Sequence, residues 1–259
     1  MDQLIFLGTG DSMGVPRVYC TCPVCQEARS GGRNRRLRSS ALLRTAEGEL
    51  LLDCGPDWVE QMEGLGQRTL TRVLVTHPHH DHIAGLPEWF DACRWTRSRG
   101  TVFAPGIVFE TIRRQYPWLE KKLAFVPNDG GMEFGGWQIT PWEVCHGKNG
   151  YSFAYRFVKN GYAWAYCPDA IHLTEKQKKP LHGLNMLVLG TNFYKEEARV
   201  ESRSVYDMKE ALELLAEAKP QRVYFTHMSH GVDIDAGYPL PEHVTLASRE
   251  LTVSLRTGE

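Results

Sequence analysis

An α/β fold with a mixed sheet is what this sequence predicts. Short apolar runs alternate with helical patterns between Gly and Pro breaks, no low-complexity linker divides the 259 residues, and a strand ending in Thr-His occurs twice. A chain of this length can bury a full core as one unit, so a single domain over residues 1–259 is expected.

The elements follow in order. Residues 4–7 (Leu-Ile-Phe-Leu) are apolar on both faces, as a covered strand must be. A Gly-rich turn ending at Pro16 breaks the pattern. Apolar runs at 41–43 and 50–53 have strand length, and 72–76 (Arg-Val-Leu-Val-Thr) is rich in β-branched residues. A helix is expected over 83–92. Further strands are expected at 102–104, 137–141, 153–158, 162–166, 186–189 and 222–226. The clearest helix is Met208–Ala218, where Leu212, Leu214, Leu215 and Ala218 form an apolar face; Ser204, three residues before Asp207, is its expected start.

Apolar content of 42% and charged content of 24% are those of an ordinary globular protein. A formal net charge of −1 supplies no global basic field for nucleic acid, although local basic patches are compatible with it. The first residues lack the basic start and apolar length of a secretion signal, and no run is long enough to span a bilayer. A cytoplasmic protein without membrane attachment is therefore expected. Of seven cysteines, Cys20, Cys22 and Cys25 are clustered, which in a reducing compartment favours a metal over disulfides. Cys54, Cys93, Cys145 and Cys167 have no such spacing and read as small core residues.

The run His77-Pro78-His79-His80-Asp81-His82 directly follows the 72–76 strand. Imidazole and carboxylate are the donors that hold zinc, manganese or iron while leaving positions open to substrate. His77 and His79, two apart on extended chain, can share a side and grip one ion, and Asp81 and His82 can hold a second. Remaining ligands must come from later in the chain. Candidates are His146 after Trp142-Glu143-Val144-Cys145, Asp169 past an apolar strand and able to bridge both ions, and His227. His227 ends Arg222-Val223-Tyr224-Phe225-Thr226-His227, an echo of Arg72-Val73-Leu74-Val75-Thr76-His77. Two equivalent half-folds would bring both histidines to strand ends, where ligand sites of α/β proteins gather. Taken singly, His146 is more often a satisfied core residue and Asp169 a turn former; their order and strand-end setting make them candidates. Asp53 reads either as orienting a ligating histidine or as capping a strand turn.

These residues resemble the metallo-β-lactamase superfamily, with its His-x-His-x-Asp-His signature followed by a His, an Asp and a His at strand ends. The similarity covers nearly the whole chain. It is strongest to PhnP-type phosphodiesterases, through the Gly-rich turn 7–16, Cys20-Thr21-Cys22-Pro23-Val24-Cys25, Asn34-Arg35-Arg36-Leu37-Arg38-Ser39-Ser40 and Leu52-Asp53-Cys54-Gly55-Pro56-Asp57. The resemblance implies an αββα sandwich, two mixed β-sheets flanked by helices. It also implies His77, His79 and His146 on one ion, Asp81, His82 and His227 on the other, and Asp169 between them. His80 falls in a variable slot and is taken as a non-ligand. A structural zinc on Cys20, Cys22, Cys25 and His230, pinning the N-terminal loop to the segment that carries His227, is implied as well. So is a homodimer.

Two divalent ions, zinc or manganese or else iron, would supply hydroxide near neutral pH and neutralise charge on substrate oxygens. Such a centre suits phosphodiesters, lactones, lactams or thioesters. The resemblance favours a dinuclear metal-dependent phosphodiesterase acting on small cyclic or nucleotide-like phosphodiesters, with Asp81 and Asp169 as catalytic carboxylates. Alternatives are a lactone or thioester hydrolase on the same centre, and a PqqB-like cofactor-biosynthesis protein, whose catalytic signature is usually incomplete. Arg35, Arg36, Arg38 and Lys148 are basic candidates for binding phosphate, although exposed Arg and Lys are mostly just solvated. The sequence has no long basic insertion of the kind that grips RNA, which argues against nucleic acid as a partner. PhnP-type relatives carry Arg-x-His-x-Asp, with the His proposed to protonate the leaving oxygen. Here the stretch is Arg203-Ser204-Val205-Tyr206-Asp207, and valine has no proton to give: either Tyr206 or a water replaces that acid, or the preferred substrate has a better leaving group, or the substrate is a different one.

Overall fold

The protein is described from a computed structural model covering residues 1–256. Among these, fourteen strands form two seven-stranded sheets. The first sheet contains β1 (Asp2–Gly8), β2 (Ser40–Thr45), β3 (Gly48–Leu52), β4 (Arg72–Leu74), β5 (Gly100–Ala104) and β6 (Leu123–Pro127). The second contains β7 (Met132–Phe134), β8 (Trp137–Cys145), β9 (Tyr151–Lys159), β10 (Tyr162–Cys167), β11 (Met186–Gly190), β12 (Arg222–Thr226) and β13 (Val244–Leu246). The last strand, β14 (Thr252–Leu255), returns to the first sheet beside β1. Strand orders are β14-β1-β2-β3-β4-β5-β6 and β13-β12-β11-β10-β9-β8-β7.

Both sheets repeat one pairing pattern, antiparallel in their first half and parallel in their second. Two half-folds are therefore present. The echoed strands are not equivalent within them: counted from β14 and from β7, β4 is fifth and β12 is sixth. What the echo records is a shared local requirement, a covered strand that delivers a histidine at its end.

Among the described residues there are seven α-helices. They are α1 (Pro23–Arg29), α2 (Trp58–Leu65), α3 (His80–Ile83), α4 (Leu86–Trp95), α5 (Gly106–Gln115), α6 (Glu175–Lys178) and α7 (Met208–Ala218). Alternating side chains of β1 display the layering. Leu4 and Phe6 enter the core between the sheets, while Ile5 and Leu7 face the helices. Between the sheets, Trp164 stacks on Phe157 with ring centroids 3.9 Å apart. Full burial of one large apolar side chain contributes about 1.5–3 kcal/mol, so this layer holds the two sheets firmly together. Trp58, Trp89 and Phe109 from α2, α4 and α5 cover the first sheet, and Ala211, Leu214 and Leu215 from α7 cover the second.

Two sequence expectations shift. The helix expected over 83–92 is two helices, α3 and α4, broken at Gly85, where a Cβ would lie 2.3 Å from the Gly55 carbonyl oxygen. Helix α7 starts from Asp207 rather than Ser204: Asp207 accepts the Glu210 N–H while the Glu210 carboxylate accepts the Asp207 N–H. Ser204 stays outside the helix, and its carbonyl is used elsewhere.

Candidate metal centre

Strand ends from both sheets converge. His77, His79, Asp81 and His82 follow β4 of the first sheet; His146, Asp169 and His227 follow β8, β10 and β12 of the second. Pro78 keeps the chain extended through His79, and the short helix α3 then turns Asp81 and His82 inward. His77 Nε2 lies 2.8 Å from His79 Nδ1, and His146 Nε2 lies 3.3 Å from the same atom. His82 Nε2 is 3.2 Å from Asp81 Oδ2 and 3.1 Å from Asp169 Oδ2. His227 Nε2 is 3.5 Å from Asp81 Oδ2 and 3.2 Å from Asp169 Oδ1. Asp169 Oδ1 also comes within 3.7 Å of His146 Nε2, so this carboxylate faces both groups. The donor atoms of His77, His79 and His146, and those of Asp81, His82 and His227, form two compact clusters. His80 is in neither, as expected for a non-ligand.

Four of the rings, those of His77, His82, His146 and His227, have a partner on the other nitrogen. The fully buried Asp53 accepts the Thr76 N–H at 2.8 Å, and its Oδ2 lies 2.8 Å from His82 Nδ1. Of the two readings of this residue the contacts favour the orienting one: Asp53 faces His82, and its bond to Thr76, 23 residues on, ties the ends of β3 and β4 together rather than capping a local turn. His146 Nδ1 donates to the Ser204 carbonyl at 2.8 Å. Behind that carbonyl, the buried Arg203 pairs with Glu210 and Glu196, and its own carbonyl leaves room only for a glycine at 147, where a Cβ would lie 2.1 Å away. Ser152 stands 3.3 Å from His77 Nδ1, and Asn192 3.3 Å from His227 Nδ1.

The electrostatics call for cations. Burial alone would raise the carboxyl groups of Asp81 and Asp169, yet the neighbouring histidines hold both far below the usual carboxylate range. Burial opposes a charge on His227, but Asp169 and Asp81 prevail and lift it to about 9. His77, His79 and His146 are pushed down by burial and are neutral near pH 7. Burial likewise opposes a charge on His82, whose Nδ1 is aimed at Asp53, but Asp81, Asp53 and Asp169 together hold it well above the ordinary imidazole range. His82 Nε2, His227 Nε2 and Asp169 Oδ2 are buried with no hydrogen-bond partner. Buried imidazoles and carboxylates that stand 3.1–3.5 Å apart and lean on one another's charge without making hydrogen bonds are a donor set that divalent cations would satisfy in place of protons, so these residues fit metal ions.

A second cluster lies at the N-terminal loop. The sulfurs of Cys20, Cys22 and Cys25 stand 3.3, 3.5 and 3.6 Å from His230 Nδ1. Tetrahedral zinc, with bonds of about 2.3 Å to sulfur and 2.0 Å to nitrogen, separates such ligands by about 3.5 Å. The loop is laced to the segment after β12. Arg36 donates to the Ser229 and Val232 carbonyls at 3.0 and 2.7 Å, and Met228 N–H donates to the Thr9 carbonyl at 2.8 Å.

Several sequence candidates lie elsewhere. The Tyr206 hydroxyl accepts the Leu173 N–H at 2.9 Å within the core, and burial pushes it up to about 12. Val205 is buried. Arg36 is consumed by the carbonyls just named, Arg35 pairs with Glu60, and Arg38 with Asp57. Lys148 is exposed two residues beyond His146, beside Asn149, whose amide lies 3.4 Å from His146 Nε2. Cys54, Cys93 and Cys167 are buried as expected; Cys145 is only partly covered.

Asp53→Asn tests the aiming of His82. Asparagine tolerates the positive φ of 62° found there and keeps the Thr76 contacts, but it turns an N–H toward His82 Nδ1 and favours the wrong tautomer. The expected result is an unchanged fold with about 10–100-fold weaker metal binding or activity, read by metal titration alongside circular dichroism.

Comparison with known proteins agrees with this geometry. Residues 49–228 match the family described as "Beta-lactamase superfamily domain". An octanoyltransferase of Porphyromonas gingivalis is 27% identical over 258 residues, 93% of this chain and 49% of that protein. A ribonuclease Z of a Bradyrhizobium strain is 33% identical over 171 residues, 61% of this chain and 50% of that protein. The chain thus spans about half the length of these curated relatives. Among solved structures, a diphosphatase of the PhnP family superposes with a TM-score of 0.86 at 26% identity, covering 99% of this chain and 98% of that one. No described helix is long and apolar enough to cross a membrane. With two mixed sheets between helices and the signature residues gathered at their strand ends, the chain belongs to the metallo-β-lactamase superfamily.

Proposed function

We propose that the protein is a dinuclear metal-dependent phosphodiesterase acting on small phosphodiesters. The observation that carries this reading is the buried, partnerless set of His82 Nε2, His227 Nε2 and Asp169 Oδ2 facing one another. Its likeness to a PhnP-family diphosphatase and to a ribonuclease Z supports a phosphate ester over a carbonyl substrate. A complete donor set speaks against a PqqB-like role.

His77, His79 and His146 would hold one ion, and Asp81, His82 and His227 the other, with Asp169 shared. When bound, such a pair lowers the pKa of a water and neutralises substrate oxygens in the transition state. Asp53 and the Ser204 carbonyl keep His82 and His146 in the tautomers that leave Nε2 free. Asp81 and Asp169, held ionised by the neighbouring histidines, are the proposed catalytic carboxylates, and Asp169 lies within reach of both donor groups. Val205 has no proton to give and the Tyr206 hydroxyl is engaged by the Leu173 N–H in the core, so the reaction would favour leaving groups that depart as stable anions.

Bis-p-nitrophenyl phosphate is therefore expected to be hydrolysed with manganese or zinc present, and dimethyl phosphate to be left intact under the same conditions. Absence of turnover with either metal, or faster hydrolysis of a lactone or thioester, would overturn the assignment.

A further inference from the structure

The metal centre leaves unexplained a basic and aromatic surface at the other end of the first sheet. Residues 94–122 carry seven basic and two acidic side chains, a local net of +5 in a chain whose formal net charge is −1. The fold concentrates this charge. Parallel pairing of β5 with β6 sets Gly100 opposite Leu123, so Arg99 and Lys122, one residue before each, stand side by side. Arg94 and Arg97 lie at the end of α4, and Arg114 at the end of α5. The Leu119–Lys121 turn packs against α4, which closes the patch.

Basic residues in a helix's last turn offset its dipole, and that explains Arg94 and Arg114. It does not explain Arg97, Arg99, Lys121 or Lys122. All four are exposed, and among the described residues none has a carboxylate at salt-bridge distance. The two glutamates of the stretch do not neutralise them: Glu120 is paired with Arg113, and Glu110 stands alone.

The aromatics sharpen the reading. Trp95 is 80% exposed and Trp118 42%, although five of the chain's seven tryptophans find cover. The Arg94 guanidinium carbon lies 5.9 Å from the Trp95 ring centroid, so an exposed indole face is flanked by cations. Cations that follow a backbone, beside planar rings on which bases stack, are what binds single strands without sequence preference. A membrane-binding face would add aliphatic side chains, and the two tryptophans are the only large hydrophobics exposed between Arg94 and Lys122 apart from Ile107.

We propose that this surface binds single-stranded nucleic acid, with phosphates on Arg97, Arg99, Lys121 and Lys122 and a base stacked on Trp95. It is a second site, since β4 delivers His77 at its opposite end and β5 runs parallel to β4. A global charge near zero conceals the patch, because acidic residues elsewhere cancel it in the sum.

Fluorescence anisotropy of the full chain with labelled oligo(dT) of twenty nucleotides tests this. Four phosphate contacts predict roughly 50-fold weaker binding between 50 and 200 mM salt. Trp95→Ala is expected to weaken binding by about 5- to 150-fold, the range for loss of one stacked base. The pair Arg97→Glu with Lys122→Glu should weaken it at least about 10-fold. Both variants should hydrolyse bis-p-nitrophenyl phosphate like the parent, while Asp81→Ala should bind the oligonucleotide like the parent; the second site thus stands or falls apart from the hydrolase reading. No binding at 50 mM salt overturns the proposal. So does binding that is insensitive to Trp95, which marks mere polyanion attraction, and so does association with phosphatidylglycerol vesicles in place of the oligonucleotide.

Discussion

Asp169→Ala is expected to lower turnover of bis-p-nitrophenyl phosphate by more than about 100-fold. Loss of a group that merely orients a metal ligand costs about 10–100-fold, and Asp169 is the one carboxylate within reach of His82, His227 and His146 together. Its removal should also change the ion count, read by inductively coupled plasma mass spectrometry: two ions fewer, or one with the other bound weakly. The fold should survive, because the layer between the sheets does not depend on this side chain. A variant that keeps parental turnover and both ions would refute the shared-carboxylate arrangement.

Cys22→Ser should remove one tightly held zinc per chain and lower the melting temperature. At free zinc about 1,000 times its dissociation constant, a single site stabilises by about 4 kcal/mol. For a protein of this size each kcal/mol moves the midpoint by about 2–4 °C, so a fall of about 10 °C is expected. Activity should fall as well. His230 is three residues from His227, whose backbone takes a left-handed φ of 56° that an L-residue adopts only when its surroundings hold it. Cys93→Ser, at a buried thiol outside the cluster, should leave the zinc content unchanged. Equal zinc content in the two variants would remove the structural site from the account.

The limits of what the sequence discloses have a physical pattern. Ten strands were legible from their apolar runs, and β12 matches its expected bounds to the residue. Missed were β6, β7, β13 and β14, and these are the four edges of the two sheets. An edge strand is covered less and is often short, so it needs neither the apolar run nor the alternation that reveals a central strand. Thus β7 has three residues, and β6 ends in exposed Val126 and Pro127. Helices α1, α2, α5 and α6 were also missed; α1 and α6 have only seven and four residues, too few for a periodic apolar face to show.

The candidate site divides in a similar way. Its ligands were visible because imidazoles and carboxylates at strand ends are rare and ordered. The groups that aim them were not. Ser152 and Asn192 are ordinary residues in a sequence, and the partner of His146 is a backbone carbonyl that any residue at 204 would supply. Tyr206 looked available because it neighbours Val205, yet the chain turns its hydroxyl into the core.

Each of the two donor clusters draws on both sheets: His77 and His79 with His146, Asp81 and His82 with His227. An ion in either cluster would therefore be a rivet between halves of the molecule that side-chain packing and hydrogen bonds, such as Tyr155 to the Val75 carbonyl and Phe153 N–H to the Thr76 carbonyl, already join. On the proposed reading, metal uptake would tighten the sandwich at that rim, and loss of metal would cost the chain rigidity there as well as activity.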